Sequence, residues 1–147
     1  MKTVKIYIET SFSGPRVKDG KYAAALVTTG TDGIHELIVT GEEEETTFNR
    51  CTLLAAARAL KRMNRKCHVI IYTDNLYVTN MVEQGNPEKW RRAEWKKAAG
   101  SEVQNKELWK VFLEYAEKQD LEMKYCRCSE YTGKLQAVIH GEEIEDV

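Results

Sequence analysis

Residues 68–78 read His-Val-Ile-Ile-Tyr-Thr-Asp-Asn-Leu-Tyr-Val. Val69, Ile70 and Ile71 form a β-branched run, and Tyr72 and Thr73 complete a short strand. An apolar run without alternation reads as a central strand covered on both faces. Asp74 follows at its C-terminal end, and Asn75 opens a helical pattern (Leu76, Val78, Met81, Val82) that stops at Gly85. In open α/β sheets ligands bind at that end of a strand, so Asp74 has two readings. One is a carboxylate placed to hold a divalent cation. The other is a helix N-cap, a position that Asp favours.

Upstream of this strand, Leu53, Leu54, Ala57, Leu60 and Met63 recur at helical spacing, with Arg58, Lys61 and Arg62 between them. Thr46, Thr47 and Asn49 are capping candidates for that helix. Earlier still, residues 4–9 alternate, with Val4, Ile6 and Ile8 against Lys5, Tyr7 and Glu9. A polar turn over Ser11 to Gly20 leads to a second strand from Tyr22 to Thr28, and Gly30-Thr31-Asp32-Gly33 turns into a third from Ile34 to Thr40. Downstream, Asn86-Pro87-Glu88 starts a helix expected to run to about Gly100. Asn105 precedes another, whose Leu108, Trp109, Phe112, Leu113 and Ala116 form an apolar stripe that reads as core. Leu121 to Arg127 alternates as a fifth strand, with Cys126 and Cys128 on its continuation, and the last twenty residues are poorly patterned. The order β-β-β-α-β-α-α-α-β joins a meander to parallel strands through a helical crossover. It predicts an α/β fold with a five-stranded mixed sheet flanked by helices. Residues 1–128 carry it, and residues 129–147 read as a divergent C-terminal tail of the same single domain.

The chain has 147 residues, enough for one domain with a substantial core. Hydrophobic content of 42% and charged content of 31% fit an ordinary globular protein. No apolar run reaches membrane-spanning length, and Met1-Lys2-Thr3-Val4 opens no signal-peptide core, so the expected address is cytoplasmic, with no membrane partner. The cysteines (Cys51, Cys67, Cys126, Cys128) lack the paired spacing of a zinc site and read as small apolar residues. The net charge is −1, but it is unevenly spread: Lys89, Arg91, Arg92, Lys96 and Lys97 face a single Glu94 between residues 89 and 97. Glu42 to Glu45 and the terminal Glu142, Glu143, Glu145 and Asp146 supply the opposing charge. A basic patch able to meet nucleic acid can therefore sit on a near-neutral protein.

Several ordered motifs resemble the type-1 ribonuclease H family. Thr46-Thr47-Phe48-Asn49-Arg50-Cys51-Thr52-Leu53-Leu54-Ala55-Ala56 is similar to its first-helix motif T-T-x-N-R-x-E-L-x-A-A, and Tyr72-Thr73-Asp74-Asn75-Leu76-Tyr77-Val78 to its T-D-S-x-Y-V motif. Trp90-Arg91-Arg92-Ala93-Glu94-Trp95-Lys96 resembles the basic handle, Asn105 to Trp109 the segment after it, and Ile6 to Ser11 the first strand with its Asp-Gly-Ser. The resemblance covers residues 3–128 and implies a ribonuclease H-like fold whose C-terminal helix is truncated or altered. It implies a hydrolase that cuts the RNA strand of an RNA–DNA hybrid with two Mg²⁺ or Mn²⁺ ions held by four acidic residues. No organic cofactor is implied, and a monomer is expected.

Departures from the family pattern concentrate on the chemistry. Asp74 is retained, and Glu9 stands for the first-strand Asp, one methylene longer. Thr52 stands for the helix Glu, and a neutral hydroxyl does not replace a carboxylate on Mg²⁺. No Asp matches the last family acid; Glu130 is the nearest carboxylate, and His140 reads as a surface histidine. Two carboxylates set a charge of −2 against +4 for two dications, so the resemblance implies a depleted catalytic remnant, Glu9 and Asp74, holding metal weakly. The candidate nucleic-acid contacts are better kept: Thr47, Asn49, Trp90, Arg91, Arg92, Trp95, Lys96, Lys97 and Asn105. Three readings stay open. One is a domain that binds RNA–DNA hybrid or duplex with weak or no cleavage. Another is an active enzyme whose acid cluster is completed by Glu130, Glu142 or Glu143. The third is a protein-interaction module using the acidic runs on a basic partner.

Overall fold

The computed structural model describes residues 1–141. Strands β1 (Thr3–Thr10), β2 (Lys18–Gly30) and β3 (Gly33–Thr46) form an antiparallel meander. Helix α1 (Phe48–Lys61) crosses to β4 (His68–Thr73), which lies parallel to β1. Helices α2 (Leu76–Glu83), α3 (Asn86–Arg92) and α4 (Lys106–Ala116) lead to β5 (Asp120–Tyr125), parallel to β4, and α5 (Thr132–Ile139) follows. The sheet order is β3-β2-β1-β4-β5, so β1 and β4 are central, as the apolar run at 69–71 requires.

Side-chain alternation divides the sheet into two faces. Val4, Ile6 and Ile8 of β1 and Val69 and Ile71 of β4 join Leu53, Leu60, Trp109 and Phe112 in the main core. Trp109 is only 1% exposed, in agreement with its place on the apolar stripe. The opposite face of β1 and β2 buries Tyr7, Ala23 and Ala25 under Leu135 and Ile139 of α5. Alanines on β2 let this short helix approach the sheet closely. Helix α1 starts where Thr47 Oγ1 accepts from the Arg50 N–H at 3.2 Å.

Several boundaries differ from the sequence expectation, among them the start of β2 at Lys18 and the end of β3 at Thr46. The helix expected to reach Gly100 stops at Arg92, because Glu94 (φ 56°) and Trp95 (φ 63°) both adopt left-handed backbone. Burial of the Trp95 indole and bonds from Trp95 N–H to the Trp90 carbonyl (2.7 Å) and from Val103 N–H to the Trp95 carbonyl (2.9 Å) hold this turn. Strand β5 stops at Tyr125, so Cys126 and Cys128 lie in the loop beyond it. Residues 132–139, read from sequence as part of an unpatterned tail, form α5, so the fold's last helix is present at eight residues. Glu142, Glu143, Glu145 and Asp146 lie outside the described residues.

Gly20 marks the tightest junction between meander and helix. A Cβ there would lie 2.4 Å from Phe12 Cε2, 2.8 Å from Thr46 Cγ2 and 2.9 Å from Cys51 Sγ. Gly20→Ala is expected to cost about 1–3 kcal/mol by overpacking, lowering the melting temperature by several degrees in calorimetry. Gly14→Ala, where a Cβ meets nothing within 4 Å, is expected to leave it unchanged.

Candidate metal and nucleic-acid site

Parallel pairing aligns Tyr7 with Tyr72. Two residues further along, Glu9 and Asp74 emerge at the same end of the sheet. Glu9 is 6% exposed. Its Oε1 accepts from Gln136 Nε2 at 2.9 Å and its Oε2 from Thr132 Oγ1 at 3.1 Å, both from α5. Burial pushes the Glu9 carboxyl above its ordinary range; the two hydrogen bonds oppose this, and the charge of Asp74 adds to it. Burial likewise raises Asp74, against the pull of its own backbone N–H. Asp74 Oδ1 is buried and has no hydrogen-bond partner among the described residues.

An orphaned carboxylate oxygen beside a second carboxylate suits a divalent cation. The remaining polar groups nearby are neutral or engaged with other partners. Thr52 Oγ1 donates to the Phe48 carbonyl at 2.9 Å and accepts from Asn75 Nδ2 at 3.1 Å. Gln136 spends its amide nitrogen on Glu9 and on the Thr10 carbonyl at 3.0 Å. Glu130 is engaged elsewhere: it accepts from the Tyr7 hydroxyl at 2.9 Å, and Tyr7 stacks between Tyr72 and Tyr131 at ring separations of 4.9 and 4.8 Å. Burial, with the Glu130 hydrogen bond second, raises the Tyr7 phenol well above its ordinary value. Among the described residues no three His, Cys, Asp or Glu side chains converge on one point. Asp74 and Glu9 are thus the carboxylates at this end of the sheet that could hold a divalent cation.

Beside the acids, the N-terminus of α1 brings Thr47 and Asn49 to the surface. Asn75, 1% exposed at the start of α2, donates from Nδ2 to Asn49 Oδ1 at 2.9 Å. Arg50 ties three elements together, bonding Glu43 on β3 (2.8 Å) and, from Nη1, Asn105 (3.2 Å) and Glu107 (2.6 Å) at the start of α4. Its guanidinium is raised by these carboxylates, Glu43 first. Asn105 itself takes φ 61° to begin α4.

The basic handle divides into an anchored half and an exposed half. Trp95 is 8% exposed with Lys110 Nζ 5.8 Å from its ring centroid, and Trp90 packs edge-on against Trp109 at 5.2 Å. The indole of Trp95 is thus a core anchor, not an open stacking face for a base. Arg91 pairs with Glu117. Arg92, Lys96 and Lys97 are exposed and make no ion pair among the described residues. His140 is exposed, with Nδ1 2.7 Å from the Gln136 carbonyl oxygen. Asn75, Thr132 and Gln136 carry no motif that marks them from sequence as site residues, although Asn75 occupies the Ser position of the T-D-S pattern.

A meander crossing over to parallel strands, with acids at the end of β1 and β4 and a basic arm beside them, defines a ribonuclease H-like α/β domain. The sequence profile of the RNase H family matches residues 1–134, and the chain belongs to that family. It is 41% identical over 109 residues to a Ribonuclease H of Acetivibrio thermocellus, covering 74% of this chain and 71% of the relative. A Ribonuclease H of Chlorobium luteolum is 38% identical over 113 residues, covering 77% and 74%. Among solved structures, LC9-RNase H1, described as a type 1 RNase H with the type 2 active-site motif, superposes with a TM-score of 0.76 at 20% identity over 97% of this chain and 74% of the other. A foamy viral protease-reverse transcriptase in complex with dsDNA gives 0.67 at 16% identity over 95% and 90%. These likenesses confirm the fold.

Raised carboxyl values carry a stability consequence. The native state holds protons that the unfolded chain has released, so stability falls as pH rises from the ordinary Asp and Glu range through the elevated folded values. Asp74→Asn removes the Asp74 part of this cost. Half-burial of the group and solvent screening limit the gain to about 1 kcal/mol, or ~2–4 °C in melting temperature at pH 7. The gain is expected to vanish near pH 3.5, which thermal melts across pH 3–8 will show.

Proposed function

We propose that this protein binds RNA–DNA hybrid along the surface between the α1 N-terminus and the basic handle, and that it cuts the RNA strand slowly or not at all. Membership of the RNase H family supports hybrid as the ligand. A solved neighbour of the same fold, a foamy viral protease-reverse transcriptase, is in complex with RNA/DNA hybrid; it superposes with a TM-score of 0.68 over 90% of this chain and 18% of that one. The observation that carries weak cleavage is a pair of neutral side chains with their hydrogen bonds already made: Thr52, held by Asn75 next in sequence to Asp74, and Gln136, held by Glu9. Bound metal in this family activates the attacking water and stabilises the leaving oxygen. Here Asp74 and Glu9 would hold one cation. The residues around them orient Glu9 and exclude water from it. The exposed Arg92, Lys96 and Lys97 supply salt-dependent affinity for phosphates.

A second reading keeps efficient Mg²⁺- or Mn²⁺-dependent hydrolysis on the same site. The unpartnered Asp74 Oδ1 and the relatives named Ribonuclease H favour it. A labelled hybrid incubated with each metal separates the two. The expected outcome is cleavage by wild type at least about a hundredfold slower than by a Glu9→Asp/Thr52→Glu/Gln136→Asp variant, with Asp74→Asn inert. Rapid wild-type turnover, equal to that of an active restored variant and abolished in Asp74→Asn, would establish the second reading. For binding, the hybrid dissociation constant is expected to weaken steeply with salt. The Arg92→Ala/Lys96→Ala/Lys97→Ala variant should flatten the logarithmic salt slope by about 2–3.

A further inference from the structure

We infer that Asn75 is a positioning residue that fixes the polarity of the Asn49 side chain, so that Asn49 meets a ligand as a hydrogen-bond donor. The inference begins at a donor of known identity. The backbone N–H of Val78 bonds Asn75 Oδ1 at 2.9 Å, capping α2. A backbone amide cannot accept, so the atom facing it is the carbonyl oxygen of Asn75, whichever way the amide might otherwise be turned. Asn75 Nδ2 then lies on the other side with two hydrogens to place. One goes to Thr52 Oγ1 at 3.1 Å and the other to the Asn49 side chain at 2.9 Å. Thr52 Oγ1 can accept because its own hydrogen is committed to the Phe48 carbonyl at 2.9 Å.

The Asn49 atom that receives Nδ2–H must be an acceptor, which is Oδ1. Its Nδ2 is therefore turned away from the core, and it makes no hydrogen bond among the described residues. Half-exposed at the first turn of α1, this amide offers hydrogens and no lone pair. It complements acceptors: a 2′-hydroxyl oxygen, pyrimidine O2 or purine N3 along a minor groove. A serine at position 75, as in the family motif, has a single hydroxyl hydrogen. It could cap α2 but could not serve both Thr52 and Asn49. The asparagine thus couples helix capping, the neutral residue at position 52 and the presentation of Asn49 through one buried amide.

This rests on the proposed hybrid-binding function only for the identity of the ligand. Side-chain amide hydrogen exchange in the free wild-type protein tests the polarity alone. The Asn75 NH₂ protons are expected to be strongly protected and those of Asn49 to exchange freely. The reverse pattern, or equal protection, would overturn the inference, and neither result depends on ligand. Binding then tests the consequence. Asn75→Ser, which keeps a capping oxygen, is expected to weaken hybrid binding about fivefold. In an Asn49→Ala background the same change should matter less than twofold. Equal losses in both backgrounds would show that Asn75 acts on binding by some route other than Asn49. Failure of the wild type to bind hybrid at any salt would remove the proposed function, leaving the exchange pattern to decide the role of Asn75.

Discussion

Everything at the site depends on the parallel register of β1 against β4. Pairing Tyr7 with Tyr72 carries Glu9 and Asp74 to one end of the sheet, where the strands run out and the backbone no longer fills the space. The same register stacks the two tyrosines and leaves the acids buried enough to resist ionisation. Shifting either strand by one residue would send its carboxylate to the opposite face, into the layer of Ile8 and Ile71. A desolvated pair of like charges is intrinsically costly, and the fold retains it only because α5 and the sheet over-determine its position.

The molecule offsets that cost unevenly. Glu9 receives two donors from α5, which act as a solvation shell made of protein. Among the described residues Asp74 receives no comparable side-chain donor, and one of its oxygens stays unmatched. The neutral Thr52 and Gln136 avoid the repulsion that further carboxylates would add, while a dication would gain from each added negative charge. Stability and metal affinity are opposed at these positions, a tension common at sites where function depends on strained electrostatics. The exposed basic face is free of this conflict. Its exposed cations are solvated in the absence of ligand and need no compensation from the core.

Most of the fold could be read from periodicity, since β1, α1, β4 and α4 each carry enough apolar residues at one spacing to declare their type. What escaped notice did so for local reasons. Helix α5 has eight residues, a glycine in its first turn and only Leu135 and Ile139 as fully buried positions, too few to reveal a period. Trp95 reads as part of a helical basic arm because nothing in the composition signals left-handed backbone at a tryptophan; burial of its indole and the backbone bonds to Trp90 and Val103 enforce it. The acids at 9 and 74 were visible through their motifs. Gln136 was not, because its significance lies in a contact with Glu9 across 127 residues of chain. Asn75 was visible as a helix start, whereas its grip on Asn49 is a matter of which hydrogen points where.

The pairing of Glu9 with α5 also bears on how the chain matures during translation. Glu9 lies on β1, which leaves the ribosome before the rest of this sheet, and Thr132, which bonds it, follows 123 residues later. Until that segment emerges, the outer surface of β1 and β2, with Tyr7, Ala23 and Ala25, has no cover, and the carboxylate remains hydrated. Nascent chains paused before this point would hold a sheet with one greasy side open, the form most attractive to a holding chaperone. The emergence of α5 would thus at once seal the second hydrophobic layer and desolvate the acid, so that the carboxylate pair reaches its final environment only after the sheet has formed.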